Sequence, residues 1–359
     1  MTLPLRAESL ARMDRVRPLA PGLLVLLGLA ASAIVLTFLQ ASSGWVGPAV
    51  LALLLTIAAQ PIRSWLVRLG APDWVRFLVP LLAVLVFLIC MGVAIALAIT
   101  QLISLLPAHS EKFTALADRT IAWLSSLGID TSELWARASR LDPANLVPYL
   151  QTALNGLLNV GSAGILLVTL LVAMSLDAGA LGRELDRLEP AKPALVRALR
   201  GVVRDTYSYL KVSTIFGALM ATCDVVVLFA LGVPLPWLWG LLAFIANYIP
   251  TLGFLLALIP PALLTLVISG PAKALLVVAA YIAINFVTQS LLLPKFLSGA
   301  VGLSVTLTML SLIVWTSVLG PLGALLAVPM TLMVRALLLD IDPAKRWAGR
   351  LLTGSDPRP

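Results

Sequence analysis

The chain has 359 residues, of which 60% are hydrophobic and 12% are charged, and its mean hydropathy is +1.02. A water-soluble domain carries about 25% charged residues, so this chain cannot cover its surface with polar groups and part of its solvent must be lipid. The composition therefore excludes a soluble enzyme, a disordered regulator and a secreted disulfide scaffold. We expect the net charge of +8 to set the orientation in a membrane rather than to bind nucleic acid.

The uncharged stretches of the first half predict membrane-spanning helices. A span needs about 20 apolar residues to cross a hydrocarbon layer of about 30 Å. After an amino terminus at 1–18, the segment 19–106 holds three such spans, with a turn at 42–48 between the first two. The first span is longer than the core of a signal peptide, so we expect it to be retained.

A polar segment follows at 107–153 and predicts amphipathic helices on the water side, with Ser110 and either Thr131 or Ser132 as caps. A fourth span is predicted at 154–177, and a basic loop at 178–211.

The distribution of Lys and Arg predicts the orientation of these spans. The amino terminus and the 178–211 loop are rich in Arg and Lys, whereas 107–153 carries four cations and five acids. Because basic residues stay on the cytoplasmic side, we expect 107–153 to be external, and 1–18 and 178–211 to be cytoplasmic. The tail at 336–359 is basic as well and is predicted to be cytoplasmic, which places both termini of this multi-pass protein inside.

The region 212–335 contains two uncharged runs, 237–268 and 303–334, that are each too long for one straight crossing. Proline and glycine interrupt both runs, and the stretch at 252–258 aligns with that at 322–328 when Gly253 is set on Gly323. Proline removes a helical donor and glycine favours helix weakly. Paired broken helices in repeats point to the binding site of a transporter.

Two topologies fit these broken runs. Both runs can cross the membrane, which gives eight spans, or both can be re-entrant hairpins that enter from opposite sides. The hairpin arrangement places Lys273 outside and Lys295 inside, and we prefer it because it makes the repeat an inverted pair. The sequence thus predicts an all-α integral membrane protein with about eight hydrophobic segments, two of them broken or re-entrant near the carboxyl terminus.

Polar residues within the apolar region are the predicted site for a solute or an ion. Asp224 is the only acid well inside an apolar segment, where a charged carboxylate costs about 2.5–3.5 kcal/mol on insertion scales. Asp224 either couples transport to a proton or cation, or it lies near the outer end of its span or bonds across helices. Asn285 and Gln289 are four residues apart and share a helix face; they suit a neutral, hydroxyl-rich solute, or they form hydrogen bonds between helices. The predicted binding residues are Asp224, Asn247, Tyr248, Pro250, Thr251, Gly253, Asn285, Gln289, Gly320, Pro321 and Gly323.

Side chains that hold metals or nucleotides are scarce. Cys90 and Cys223 lie in apolar runs and form no CxxC pair, and the only histidine is His109. No GxxxxGK[ST] loop is present, so the sequence offers no Walker-type ATP hydrolysis. We predict no metal, no cofactor and no enzymatic activity.

Several motifs of the last third resemble the autoinducer-2 exporter (AI-2E) family of bacterial membrane proteins. They are LGVP at 231–234, NYIPTLG at 247–253, LPK at 293–295, VGL at 301–303 and LGPLGALLAVP at 319–329, with QP at 60–61 and LD at 176–177 upstream. The resemblance covers about 19–339 and is weak at 107–153. One departure is that Ser304 and Val305 stand where the family usually has a proline after VGL.

This resemblance implies a homo-oligomer, a pentamer, with an elevator-like moving unit. The family includes exporters of autoinducer-2 and members that behave as sodium/proton antiporters. We therefore predict a transporter in the bacterial inner membrane that moves a small polar solute, such as autoinducer-2, by alternating access. One alternative is a cation/proton antiporter with Asp224 as the titrating group. Another is a non-transporting scaffold that recruits partners through the 178–211 loop.

Overall fold

The computed structural model describes residues 21–108, 147–158, 162–250, 252–292 and 304–341, with scattered positions between 111 and 126. Within these residues, helices are joined by short turns and no strand is present. The helices are α1 (Pro21–Ala41), α2 (Ser43–Ala58), α3 (Gln60–Arg68), α4 (Asp73–Ala108), α5 (Val147–Leu158), α6 (Ser162–Leu188), α7 (Pro193–Ala230), α8 (Pro236–Ala246), α9 (Leu252–Ser269), α10 (Pro271–Asn285), α11 (Val305–Leu319) and α12 (Pro321–Arg335). Two π-helical segments, Phe286–Leu292 and Ala336–Asp340, extend α10 and α12.

The described part of the chain contains seven helices that are long and apolar enough to cross a membrane. Large apolar side chains on the outside of the bundle are exposed, as expected for a surface that faces acyl chains. The prediction of an all-α, multi-pass membrane protein is confirmed.

Several boundaries differ from those predicted; the fourth span, predicted at 154–177, is formed by α6 (Ser162–Leu188), and α5 ends only at Leu158. The turn expected at 42–48 is wrong, because Ser42 alone is non-helical and α2 begins at Ser43 with Pro48 inside it. An internal proline removes a single hydrogen bond, and continuing the helix leaves the neighbouring backbone groups paired, which an apolar solvent demands.

The segment predicted as a basic loop at 178–211 is helical on both sides of a short turn. Helix α6 continues to Leu188 and α7 begins at Pro193. Arg200 of α7 bridges to Glu189 at 3.0 Å and also contacts Asp186. Exposed ion pairs thus join the two sides of the turn, and the polar composition of the segment did not end either helix. Much of the external segment predicted at 107–153, including Ser110, Thr131 and Ser132, lies outside the described residues.

The first broken run folds back on itself as a helical hairpin, α8–α9. Gly253 lies so close to α8 that an added Cβ would meet the carbonyl oxygen of Ala246. Helix α8 packs along α7 in the opposite direction, with Gly240 against the Ala221 carbonyl and Val225. After α9 the chain turns at Gly270, whose φ is +89°, and enters α10.

The second broken run forms another hairpin, α11–α12. Gly320 ends α11 with a φ of +65°, in the left-handed region that glycine adopts without strain. A Cβ on Gly323 would meet the carbonyl oxygen of Trp315. The Trp315 indole donates to the Thr331 hydroxyl at 3.0 Å, which joins the two antiparallel arms. The two breaks that proline and glycine predict are therefore present.

The two hairpins open toward opposite ends of the bundle. The Lys273 ammonium, just after the first hairpin, lies 4.0 Å from the position of a Cβ on Gly232, just before it, so that hairpin enters and leaves at one end. The base of the second hairpin lies at the other end, because Arg335 donates to Asp205 near the start of α7 at 3.2 Å. This arrangement supports the inverted pair that we prefer from the sequence; Lys295 lies outside the described residues.

The second hairpin begins at Ser304 and Val305, the two residues that stand where the family usually has a proline. The Ser304 hydroxyl accepts from the Leu307 backbone N–H at 3.3 Å and caps α11, whose first residue is Val305. A serine cap and a proline at the first helical position both favour the start of a helix. The missing proline therefore leaves this helix start intact.

Candidate functional site

A cavity of about 590 Å³ lies between α7, the α8–α9 hairpin and α10, with a contribution from the α11–α12 hairpin. Six predicted site residues line it: Asp224, Asn247, Pro250, Gly253, Asn285 and Gln289. The other polar lining residues are Tyr209, Ser213, Tyr281 and Thr308, and the apolar ones include Phe216, Met220, Ala243, Ile249, Phe254, Ala257 and Val328. The break in the first run thus lies at a cavity, which is one of the surroundings in which irregular backbone is tolerated at membrane depth.

The cavity follows α7 over much of the thickness of a membrane. Tyr209 and Asp224 both line it and are fifteen residues apart on one helix. At about 1.5 Å per residue this separation corresponds to about 22 Å, compared with a hydrocarbon layer of about 30 Å. The cavity is therefore elongated along α7 and is not a local pocket.

Asp224 and Tyr281 lie together toward one end of this path. Each side chain is only 2% exposed, and the two groups are close enough to interact electrostatically. Within the described part of the chain, Asp224 Oδ1 and the Tyr281 hydroxyl have no hydrogen-bond partner. Buried polar groups are normally paired, so these two atoms identify a position where another group belongs.

One face of α10 presents polar side chains to the cavity at four-residue intervals: Tyr281, Asn285 and Gln289. Asn285 and Gln289 share this face, as their spacing predicts. The π-helical segment Phe286–Leu292 begins between them. π-Helices are uncommon and occur often at functional sites, and nothing in the residue pattern indicates this one.

Hydrogen bonds fix the tip of the first hairpin to the middle of α7. The Asn247 amide donates to the Ser213 carbonyl at 2.9 Å. The Tyr209 hydroxyl donates to the Tyr248 carbonyl at 3.0 Å, and the Tyr248 hydroxyl lies 2.7 Å from the Thr214 hydroxyl. Tyr248 therefore supports the tip from behind and does not line the cavity. Thr251 lies outside the described residues.

The predicted site residues of the second hairpin occupy its turn and do not line the cavity. Gly320 and Pro321 form the turn, and the Gly323 N–H donates to the Gly320 carbonyl at 2.9 Å. Thr308 and Val328 are the residues through which this hairpin reaches the cavity. A binding role for the three turn residues stays a prediction.

Asp224 is the one charged side chain among the described residues that line the cavity. No Lys, Arg or His of the described chain lines it, so nothing there would offset the charge of an anion. The described residues also contain no group of three or more His, Cys, Asp or Glu that could hold a metal ion.

Sequence reasoning missed Tyr209, Ser213, Tyr281 and Thr308. Tyr281 could have been found, because it precedes Asn285 by four residues on the same helix face. Tyr209 lies in a segment whose basic composition suggested a loop, and Ser213 and Thr308 carry no distinguishing pattern. Their place at the cavity depends on how separate helices pack.

The fold and the cavity define a multi-pass membrane protein of the transporter class, with broken helices beside a polar path. The AI-2E family transporter model matches residues 23–342. The chain is 29% identical to the AI-2 transport protein TqsA of Escherichia coli K12, over 88% of this chain and 91% of that one. It is 26% identical to the putative transport protein YhhT of the same organism, over 89% and 91%, and 27% identical to a putative transport protein of Haemophilus influenzae, over 90% and 94%. The chain belongs to the AI-2E transporter family.

Proposed function

We propose that this protein moves a small polar solute across the bacterial inner membrane by alternating access, and that the cavity along α7 binds the solute. The observation that carries the proposal is the cavity itself: a path of about 22 Å along which hydroxyl, amide and carboxyl groups stand among apolar side chains. Polar side chains inside a membrane protein usually mark the route of a substrate.

The tip of the first hairpin is the proposed gate. Asn247 and Tyr248 hold it against α7 through three hydrogen bonds. Hydrogen bonds between membrane helices contribute about 0.6–2 kcal/mol each, so three of them hold the tip firmly without making its release prohibitive. Release of the tip opens the cavity at the level of Ser213, and closure restores the barrier.

The chemistry of the lining favours a neutral solute that is rich in hydroxyl groups. Amides and hydroxyls both donate and accept hydrogen bonds, and no cation of the described chain faces an anion there. TqsA is named an AI-2 transport protein, so autoinducer-2 is the first solute to test.

Purified protein in proteoliposomes provides the test. We expect autoinducer-2 loaded inside to leave faster than from protein-free liposomes, either passively or driven by a proton or sodium gradient. The Asn285→Leu variant should slow this movement, whereas Gln101→Leu, which removes an exposed amide from α4, should not. If no solute or ion moves while a partner copurifies stably, the protein is a scaffold and the proposal is wrong.

A cation/proton antiporter is the second candidate, and buried Asp224 favours it. Its Oδ1 atom lacks a partner within the described chain, and it lies in the cavity. In vesicles, the protein should move sodium against a proton gradient. Loss of this sodium movement in the Asp224→Asn variant would support the antiporter function. Sodium exchange that survives in Asp224→Asn would remove its mechanism.

We further propose that both termini are cytoplasmic, that 107–153 is external, and that the protein is a homo-oligomer in the bilayer, a pentamer by family resemblance. The surplus of Arg at 1–18 and 178–211 supports the orientation. Native mass spectrometry of the detergent-extracted protein tests the stoichiometry, and a monomer under all extraction conditions would contradict it.

A further inference from the structure

We propose that Asp224 and Tyr281 form a subsite for one hydroxyl group of the solute, which donates to Asp224 Oδ1 and accepts from the Tyr281 hydroxyl. This inference rests on the proposed transport function and names the contact that selects a hydroxylated solute at the end of the cavity away from the gate.

The first argument is that a hydrogen-bond acceptor, Asp224 Oδ1, and a potential donor, the Tyr281 hydroxyl, both lack a partner at the same end of the cavity. Both residues are only 2% exposed and both line the cavity, and neither Asp224 Oδ1 nor the Tyr281 hydroxyl has a partner among the described residues. The Tyr281 hydroxyl and Asp224 Oδ1 form no hydrogen bond with each other. Leaving such groups unsatisfied costs about 1–3 kcal/mol each, which a bridging group would recover.

The second argument is the composition of the surroundings. The next residues toward the gate on the cavity face of α7 are Met220 and Phe216, and α8 and α9 contribute Ala243 and Ala257. A bare cation would therefore find only the three side-chain oxygens of Asp224 and Tyr281 here, fewer than the about six oxygen ligands that hard cations take. A hydroxyl needs one acceptor and one donor, and these two residues supply them.

The third argument is the continuation of the polar stripe. Asn285 and Gln289 follow Tyr281 on the same face of α10. A solute anchored by one hydroxyl at Tyr281 can therefore place further hydroxyls against Asn285 and Gln289. The stripe favours a polyol over a solute with a single polar group.

Thiol protection tests the subsite without requiring transport. Met220→Cys, in a background where Cys90 and Cys223 are replaced by serine, places a thiol in the cavity one turn from Asp224. Erythritol, a four-carbon polyol, should slow alkylation of this thiol, whereas trimethylamine N-oxide at equal osmolality should not, because it has no hydrogen-bond donor.

Variants then assign the protection to the two residues. Tyr281→Phe should weaken the apparent affinity for erythritol about fivefold, and Asp224→Leu about tenfold or more. Asp224→Asn keeps an acceptor and should lie between the parent and Asp224→Leu. Tyr149→Phe, an exposed tyrosine outside the cavity, should leave protection unchanged.

Several results would overturn the subsite: a thiol at 220 that never reacts, protection by sodium chloride alone, equal effects of erythritol and trimethylamine N-oxide, or protection that persists in Tyr281→Phe and Asp224→Leu. The two proposals fail separately. Solute movement without thiol protection would retain the transport function and remove this subsite, whereas protection without solute movement would retain the subsite and remove the transport function.

Discussion

The Asn247 side-chain amide donates to the backbone carbonyl of Ser213 at 2.9 Å. This bond joins a break in one helix to the middle of another, because Asn247 follows the last residue of α8 and Ser213 lies within α7. By donating to this backbone carbonyl, the Asn247 amide fixes the tip of the α8–α9 hairpin at one position along α7.

We predict that Asn247→Leu loosens the hairpin tip. The variant loses a hydrogen bond of about 1 kcal/mol, so backbone amides at the tip should exchange with deuterium about fivefold faster, and solute transport should change in rate. Hydrogen-exchange mass spectrometry in nanodiscs measures the first effect. Asn155→Leu, which alters an exposed amide in α5, is the control, and equal exchange in the two variants would contradict the prediction.

We predict that Gly253→Ala and Gly323→Ala each disrupt a hairpin. An added Cβ would meet the carbonyl oxygen of Ala246 or Trp315, which belongs to backbone and cannot rotate away. Overpacking of this kind costs about 1–3 kcal/mol or more. Thermal unfolding in detergent should show a lower midpoint for both variants.

The matched control is Gly92→Ala in α4, where a Cβ meets no atom within 4 Å. Alanine favours helix over glycine by about 1 kcal/mol, so this variant should unfold at the same temperature as the parent or slightly higher. A midpoint for Gly253→Ala that matches the control would show that the hairpin arms are not in close contact.

We predict that the Arg335–Asp205 ion pair stabilises the base of the second hairpin. The atoms are 3.2 Å apart and the side chains are 15% and 22% exposed. Asp205→Ala removes a charge-assisted hydrogen bond between two largely buried side chains, so it should lower the free energy of unfolding by about 1.5–3 kcal/mol. A double-mutant cycle with Asp205→Ala and Arg335→Ala separates the interaction energy of this pair from that of the neighbouring contact between Arg204 and Asp205.

The comparison for this prediction is Glu184→Ala. Its pair with Arg187 is 2.7 Å long but exposed to solvent, and such pairs contribute about 0–1 kcal/mol. Equal losses for Asp205→Ala and Glu184→Ala in a denaturant titration would mean that the pair at the hairpin base contributes no more than a surface contact.

We predict that cysteines at 273 and 295 label from opposite sides of the membrane. The hairpin arrangement places the first outside and the second inside. Impermeant maleimide added to intact cells should modify Lys273→Cys, and should modify Lys295→Cys only in inverted vesicles. Both variants require Cys90 and Cys223 to be replaced. Labelling at 295 alone from outside would refute the hairpins.

The sequence predicts the breaks well because proline and glycine act locally. Pro250 and Pro321 mark the two turns, and Gly320 adopts a φ of +65° that few other residues tolerate. Helix boundaries were harder where composition was the guide. The expected turn at 42–48 contains polar and small residues, yet helix continues through most of it. Pairing of the backbone in an apolar solvent outweighs local preference there.

The site is predictable along a helix and not between helices. The spacing of Asn285 and Gln289 places both on one face, and both line the cavity. The proximity of Asp224 to Tyr281 brings together residues of α7 and α10 that are almost sixty positions apart in the sequence. No periodicity within either helix contains that information, because it arises from how α7, α10 and the first hairpin pack.

Helix α7 has 38 residues and so measures about 57 Å, close to twice the thickness of the hydrocarbon layer. The helix is therefore long enough for one half to lie among acyl chains while the other half extends into water. A small tilt about its middle would swing Asp224 one way and the arginines near its start the other. A force on the part of α7 that lies in water, whether from a salt, an anionic lipid headgroup or a neighbouring subunit, would therefore change the position of the buried Asp224 carboxylate.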